Sequence, residues 1–128
     1  MDKRLFFSAT QRNRDFIGDV LSRIIKKDGL ILEIGSGSGE HGVVFQKRFP
    51  EIIWQTSDPD LLHRKSIISW IEYEELNKQM PQPLKLDVEN IPWKIPFKLN
   101  NSYSFYKYDS FSIMELYESL NYGGRKVT

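Results

Sequence analysis

The stretch LILEIGSGSGEHG, Leu30–Gly42, decides the fold. Leu30–Ile34 is an apolar run interrupted only by Glu33, and it suits a strand buried on both faces. The run then breaks into Gly35, Gly37 and Gly39. Glycines permit a tight turn, and their missing side chains let a ligand reach the backbone. The helix expected next, His41–Arg48, carries Val43, Val44 and Phe45, stops at Pro50 and begins with free amide donors.

Outward from this stretch the chain alternates. Upstream, Phe16, Ile17, Val20, Leu21, Ile24 and Ile25 paint one stripe on a helix spanning Asn13–Lys27, with Ser8 or Asn13 as its cap and Gly29 as its stop. Downstream, Ile52–Thr56 reads as a second strand and Ser57–Asp60 as a turn. Leu61–Lys78 reads as a helix with Leu61, Ile67, Ile68, Ile71 and Leu76 inward, broken by Pro81 and Pro83, and Leu84–Val88 as a third strand. Helix, strand, helix, strand, helix, strand implies βαβ crossovers and a parallel sheet. After Trp93 no fourth buried strand stands out. Residues 98–128 read as an irregular tail behind a 1–97 half-domain, with "IMELYESLNYGG" as a helix stopped by glycine.

Composition narrows the function. The 128 residues hold one domain at most, and 18 basic against 17 acidic residues leave a net charge of +1. That balance gives no electrostatic case for nucleic acid. With no cysteine and two histidines, neither a disulfide framework, a thiolate zinc site nor a histidine cluster is expected. The start, "MDKRLFFSATQRNR", has no secretory apolar region, and no apolar run nears the ~20 residues of a membrane span. A cytoplasmic protein without membrane or protein partners is expected.

In an open parallel sheet, ligands bind beyond the carboxyl ends of the strands. The glycines stand at the first such end. Asp58 follows the second, where an acid can accept both ribose hydroxyls. Asp87 ends the third, in "LKLDV", where it can accept from an adenine amino group. The spacing G-x-G-x-G departs from the dinucleotide G-x-G-x-x-G, and no Gly-Lys-Ser/Thr follows to make a P-loop. Glu33, two residues before the first glycine, suits a cation better than a pyrophosphate. S-adenosylmethionine, with a sulfonium, an amino group, a ribose and no phosphate, fits this set. An NAD-dependent oxidoreductase is the weaker alternative.

"LILEIGSGSGEHG", "SDPD" and "LKLDV" together resemble the first three motifs of class I S-adenosylmethionine-dependent methyltransferases. With "FFSATQRNRDFIGDVL", "WQTSDPD" and "SIISWI", they are similar to a small family of methyltransferase-like proteins catalogued as a domain of unknown function. The resemblance covers Leu5 to Pro96. It implies an α/β, Rossmann-like class I methyltransferase fold, present as its N-terminal half: three parallel strands with flanking helices. It places Glu33, Gly35, Gly37, Gly39, Asp58 and Asp87 at the cofactor, and Arg12 and Asn13 toward the methionine end or the acceptor. The acceptor is unknown, a small molecule being expected over nucleic acid. Catalytic residues are unassigned, and no metal is expected.

The resemblance also implies a further strand close to Ile-Asn-Met-Ile-His, with a tryptophan four residues later. Tyr106–Glu115 can spell that pattern one nucleotide out of frame. A frame change near Asn100–Ser104 is therefore expected, leaving a truncated methyltransferase, or a vestigial cofactor binder, that transfers nothing. Bland readings stand beside these. Asp58 can cap the Leu61 helix, Asp87 can be a turn residue, and Arg12 and Asn13 can be cap and surface. His41 reads as a solvated helix-start residue, His63 and Trp70 as helix-face residues, and Trp93 as core.

Overall fold

A computed structural model describes residues 1–25, 29–87, 103–108 and 113–118, the last two stretches by their backbone alone. The elements are α1 (Ser8–Ile24), β1 (Gly29–Ile34), α2 (Glu40–Arg48), β2 (Ile52–Gln55), α3 (Leu61–Tyr73), β3 (Tyr103–Tyr108) and β4 (Ile113–Glu118). β1 and β2 pair in parallel across α2, with Leu32 beside Gln55, which makes the expected βαβ unit. The sheet order is β2-β1-β3-β4, with β3 parallel to β1 and β4 antiparallel to β3. The architecture is thus α/β, an open sheet of parallel strands flanked by helices.

Burial explains the arrangement. Ile31, Leu32, Glu33 and Ile34 are all buried, as a strand between two neighbours requires. Ile17 and Leu21 of α1, Val43 and Phe45 of α2, and Ile67 and Ile71 of α3 form one core with Ile31 and Trp54 of the strands. From β1 the chain moves outward to β2, then returns to place β3 on the other side of β1. The strand order therefore reverses at β1, and the glycines leave its carboxyl end at that switch point, where such sheets take their ligands.

Several expectations are corrected. The irregular tail is wrong within β3 and β4, which join the same sheet as β1; "YSFYKY" is rich in strand-forming aromatics. The helix expected from Ile113 is instead β4. The third parallel strand is therefore β3, and the strand expected at Leu84–Val88 is reduced to one parallel bridge between Ser57 and Leu84. Two hydrogen bonds hold that bridge, Leu84 N–H to the Thr56 carbonyl and Asp58 N–H to the Leu84 carbonyl, both at 3.0 Å. The bridge lies past the end of β2 at Gln55, on Thr56–Asp58. Val88 and Trp93 lie outside the described residues.

The helix ends also differ. α1 starts at Ser8, after Phe7, with no side-chain cap, and turns extended at Ile25, so Gly29 opens β1. Phe16 points away from the core and is exposed, as is Leu61. α3 stops at Tyr73 rather than Lys78. Glu75 takes a left-handed φ of 58°, and the Leu76 and Glu75 amides return to the Ile71 and Glu72 carbonyls at 3.0 and 3.1 Å. That pattern is a Schellman stop built on glutamate.

Candidate cofactor site

The glycine loop is fixed from below. Ser36 N–H donates to the Ser57 carbonyl at 2.8 Å, and Ser57 N–H returns to Ser36 Oγ at 3.0 Å. Ser57 Oγ donates to the Glu33 carbonyl at 2.6 Å. The two strand ends are thus stapled before any ligand arrives. The three glycines then serve different purposes. A Cβ on Gly35, whose φ is +67°, would meet no described atom within 4 Å. One on Gly37 would stand 3.4 Å from the Phe7 ring. One on Gly39, at φ +93°, would collide with Ile67 Cα at 2.8 Å. Among the described residues nothing stands where a Gly35 side chain would begin, whereas Gly39 lets α2 start against α3.

Asp58 is buried and anchors the loop. Its Oδ2 accepts the Gly37 N–H at 2.9 Å. Its Oδ1 accepts the Asp60 N–H at 2.9 Å and lies 3.2 Å from His63 Nδ1. Each carboxylate oxygen has two lone pairs, so these contacts leave one on Oδ2. Capping α3 falls to Asp60, which accepts the His63 N–H at 3.0 Å. That bond, foremost, lowers its carboxyl pKa.

Glu33 lies behind the loop, 1% exposed, and its Oε1 accepts Trp54 Nε1–H at 3.1 Å. Burial pushes its carboxyl up to about 7, against the pull of hydrogen bonds from Trp54 and Ser36 and with the help of the Asp58 charge. Near neutral pH it is therefore part protonated.

His41 is corrected from solvated to buried. Its Nε2 lies 3.1 Å from the Thr10 carbonyl, so Nε2 carries the proton, and its ring stacks on Phe45 at 5.2 Å. Burial, with repulsion from Arg14, lowers its pKa to about 4 against the Thr10 bond, so the ring is neutral at pH 7. Beside it, Glu40 Oε2 pairs with Arg14 at 2.7 Å, while Oε1 is buried without a hydrogen bond among the described residues. Burial raises the Glu40 carboxyl, and Arg14 opposes this.

Asp87 is half-buried, beyond the Leu84 bridge. Arg12 is exposed and Asn13 half-buried on α1. Thr10 and Arg14 pin that helix to α2, but neither Arg12 nor Asn13 bonds to the loop among the described residues. The structure thus ties the loop to Asp58 through the Gly37 amide and to the Glu33 carbonyl through Ser36 and Ser57. Sequence reasoning missed His63, Ser57 and Glu40. His63 was within reach, since an acid just ahead of a helix start can meet its first turn.

A switch-point glycine loop beside a buried strand-end aspartate fits a Rossmann-like α/β fold. Residues 4–117 match DUF938, described as protein of unknown function, and the chain belongs to that family. The match crosses β3 and reaches Tyr117, past the expected frame change.

Solved structures with a similar fold include a proposed S-adenosyl-L-methionine-dependent methyltransferase from Methanococcus maripaludis, with TM-score 0.54, 20% identity, and 65% of this chain and 37% of that one covered. A proposed transferase from Pyrococcus horikoshii gives 0.51 at 18% identity, covering 70% and 32%. A SAM-dependent methyltransferase from Thiobacillus denitrificans, in complex with S-adenosyl-L-homocysteine, gives 0.50 at 20%, covering 63% and 31%. At such identity the likeness is one of fold. The matched stretch spans 31–37% of those chains.

Proposed function

We propose that this chain binds S-adenosylmethionine at the Gly35–Gly39 loop, as the cofactor-holding part of a methyltransferase. One observation carries the reading: Gly35, left-handed and with no described atom where a side chain would begin, leaves the carboxyl end of β1 at the switch point, with Asp58 bound to the same loop. The residues fit this ligand. Asp58 keeps a lone pair for a ribose hydroxyl. Glu33 lies behind the loop, where a cation in front would favour its charged form. Asp87 is the candidate for the adenine amino group. Gly37 and Gly39 shape the loop, and Arg12 and Asn13 are assigned to the methionine end or the acceptor.

Bound S-adenosylmethionine supplies an electrophilic methyl on a sulfonium. The chain's part is to fix the donor, because orientation supplies much of the rate in such a displacement. A small-molecule acceptor is proposed. Among the described residues no helix is long and apolar enough to cross a membrane, and a cytoplasmic location is proposed.

Calorimetry with S-adenosylhomocysteine tests the reading: one site per chain and weaker binding of NAD are expected, and tighter binding of NAD overturns it. A methyl-transfer assay with labelled S-adenosylmethionine and a cell extract then separates an enzyme from a binder.

A further inference from the structure

Chain termini are usually loose unless something ties them down. Here the first residues are tied at four points along α3. Lys3 N–H donates to Ser69 Oγ at 3.0 Å and Leu5 N–H to Ser66 Oγ at 2.9 Å. Trp70 Nε1–H donates to the Leu5 carbonyl at 3.0 Å. The Arg4 guanidinium lies 3.6 Å from the Tyr73 ring centroid, 5.0 Å from that of Trp70 and 5.3 Å from that of Phe6. Asp2 holds the same guanidinium at 3.0–3.1 Å. A cation among three aromatic faces is a clamp.

The clamped strap ends at the glycine loop. Phe7 lies 3.4 Å from the Cβ position of Gly37 and meets the His63 ring edge to face at 5.9 Å. His63 contacts Asp58, and Asp58 holds the Gly37 amide. Phe7 therefore closes a circuit of Gly37, Asp58 and His63. A second link runs beneath it, because Ser66 Oγ, which accepts the Leu5 amide, donates to the Ser38 carbonyl at 2.6 Å. Phe7 nevertheless stays 38% exposed. An apolar ring held at the lip of a polar loop is placed to cover something.

We propose that Lys3–Phe7 is a wall of the cofactor cradle, and that Phe7 packs against the bound ligand beside Gly37 and slows its escape. This inference rests on the cofactor reading above. If the strap served only to steady α3, its removal would change stability and leave ligand kinetics alone.

The test is the binding of S-adenosylhomocysteine to the full chain by stopped flow, with amide exchange read in parallel. Phe7→Ala is expected to weaken binding about tenfold, mainly through faster dissociation. Phe7→Tyr restores most of the loss, and Arg4→Ala, remote from the loop, gives a smaller loss of the same kind. Bound ligand slows exchange at the Leu5 amide in the unaltered chain, a readout that survives if Phe7→Ala fails to fold. Unchanged dissociation in Phe7→Ala or Arg4→Ala, or no protection at Leu5, overturns the wall while leaving the cofactor reading intact. No binding by the unaltered chain overturns both.

Discussion

The glycine loop has two sides, and they obey different constraints. Outward, Gly35 meets no described atom where a side chain would begin; inward, Gly39 is pressed on the backbone of α3. Both have positive φ, so conformation alone does not distinguish them. What surrounds them does: among the described residues one glycine has nothing beside it, and the other lets two helices approach. The glycine motif thus pairs a packing device with the proposed binding site, and substitution separates the two.

Gly39→Ala tests the inward side and should have the largest effect. A left-handed alanine costs roughly 1–2 kcal/mol, and a collision with main-chain atoms adds about 1–3 kcal/mol. Urea denaturation should show a loss of about 4 kcal/mol, near the top of the single-substitution range. A loss below ~1 kcal/mol would mean that α2 and α3 do not pack through this glycine.

The buried titratable groups sharpen the comparison. Glu33, raised from 4.5 to about 7, holds more protons folded than unfolded between those values, so its contribution to stability falls as pH rises. His41, lowered from 6.5 to about 4, holds fewer protons folded between those values, so its contribution rises with pH. Each is worth about 3 kcal/mol across its window, and between pH 4.5 and 6.5 the two slopes oppose. Glu33→Gln, which keeps an acceptor for Trp54, should remove the Glu33 slope and leave the rising His41 slope, opposed by the raised Glu40. His41→Gln should leave the Glu33 and Glu40 slopes, with stability falling toward pH 7. Denaturation midpoints from pH 4.5 to 8 check this, and parallel profiles for the parent and both variants would refute it.

Gly35→Ala tests the outward side and should have the smallest effect on stability. It pays the left-handed cost of roughly 1–2 kcal/mol without a collision. Its added methyl enters the space assigned to the ligand, so S-adenosylhomocysteine binding should weaken by more than about tenfold. Calorimetry checks this, and unchanged affinity would remove Gly35 from the site.

Much of this was legible in the sequence, for physical reasons. β1 announces itself because both its faces are buried, and the loop because only glycine suits it. Asp58 was singled out because it follows the second strand, and the structure ties it to the Gly37 amide. Other features were hidden. β3 pairs with β1 across a wide sequence gap, and "YSFYKY" carries no continuous apolar run. Leu84 pairs through backbone groups alone, which leave no periodicity. Phe7 and Ser66 meet the loop from distant parts of the chain, so no local spacing reveals them. His41 looked wet because it opens a helix, yet α1 covers it. The expected frame change near Asn100–Ser104 has its own test in the coding DNA: the next frame should spell Ile-Asn-Met-Ile-His, and early stop codons there would end the idea.

The most direct measurement is an amide NMR titration of the full chain with S-adenosylhomocysteine. Shifts at Gly35, Gly37, Asp58 and Phe7 are expected, with little change at Arg48 and Phe49, which line a separate cavity of about 240 Å³ beside the start of β2. Shifts confined to Arg48, Phe49 and their neighbours, or none at saturating ligand, would contradict the cradle.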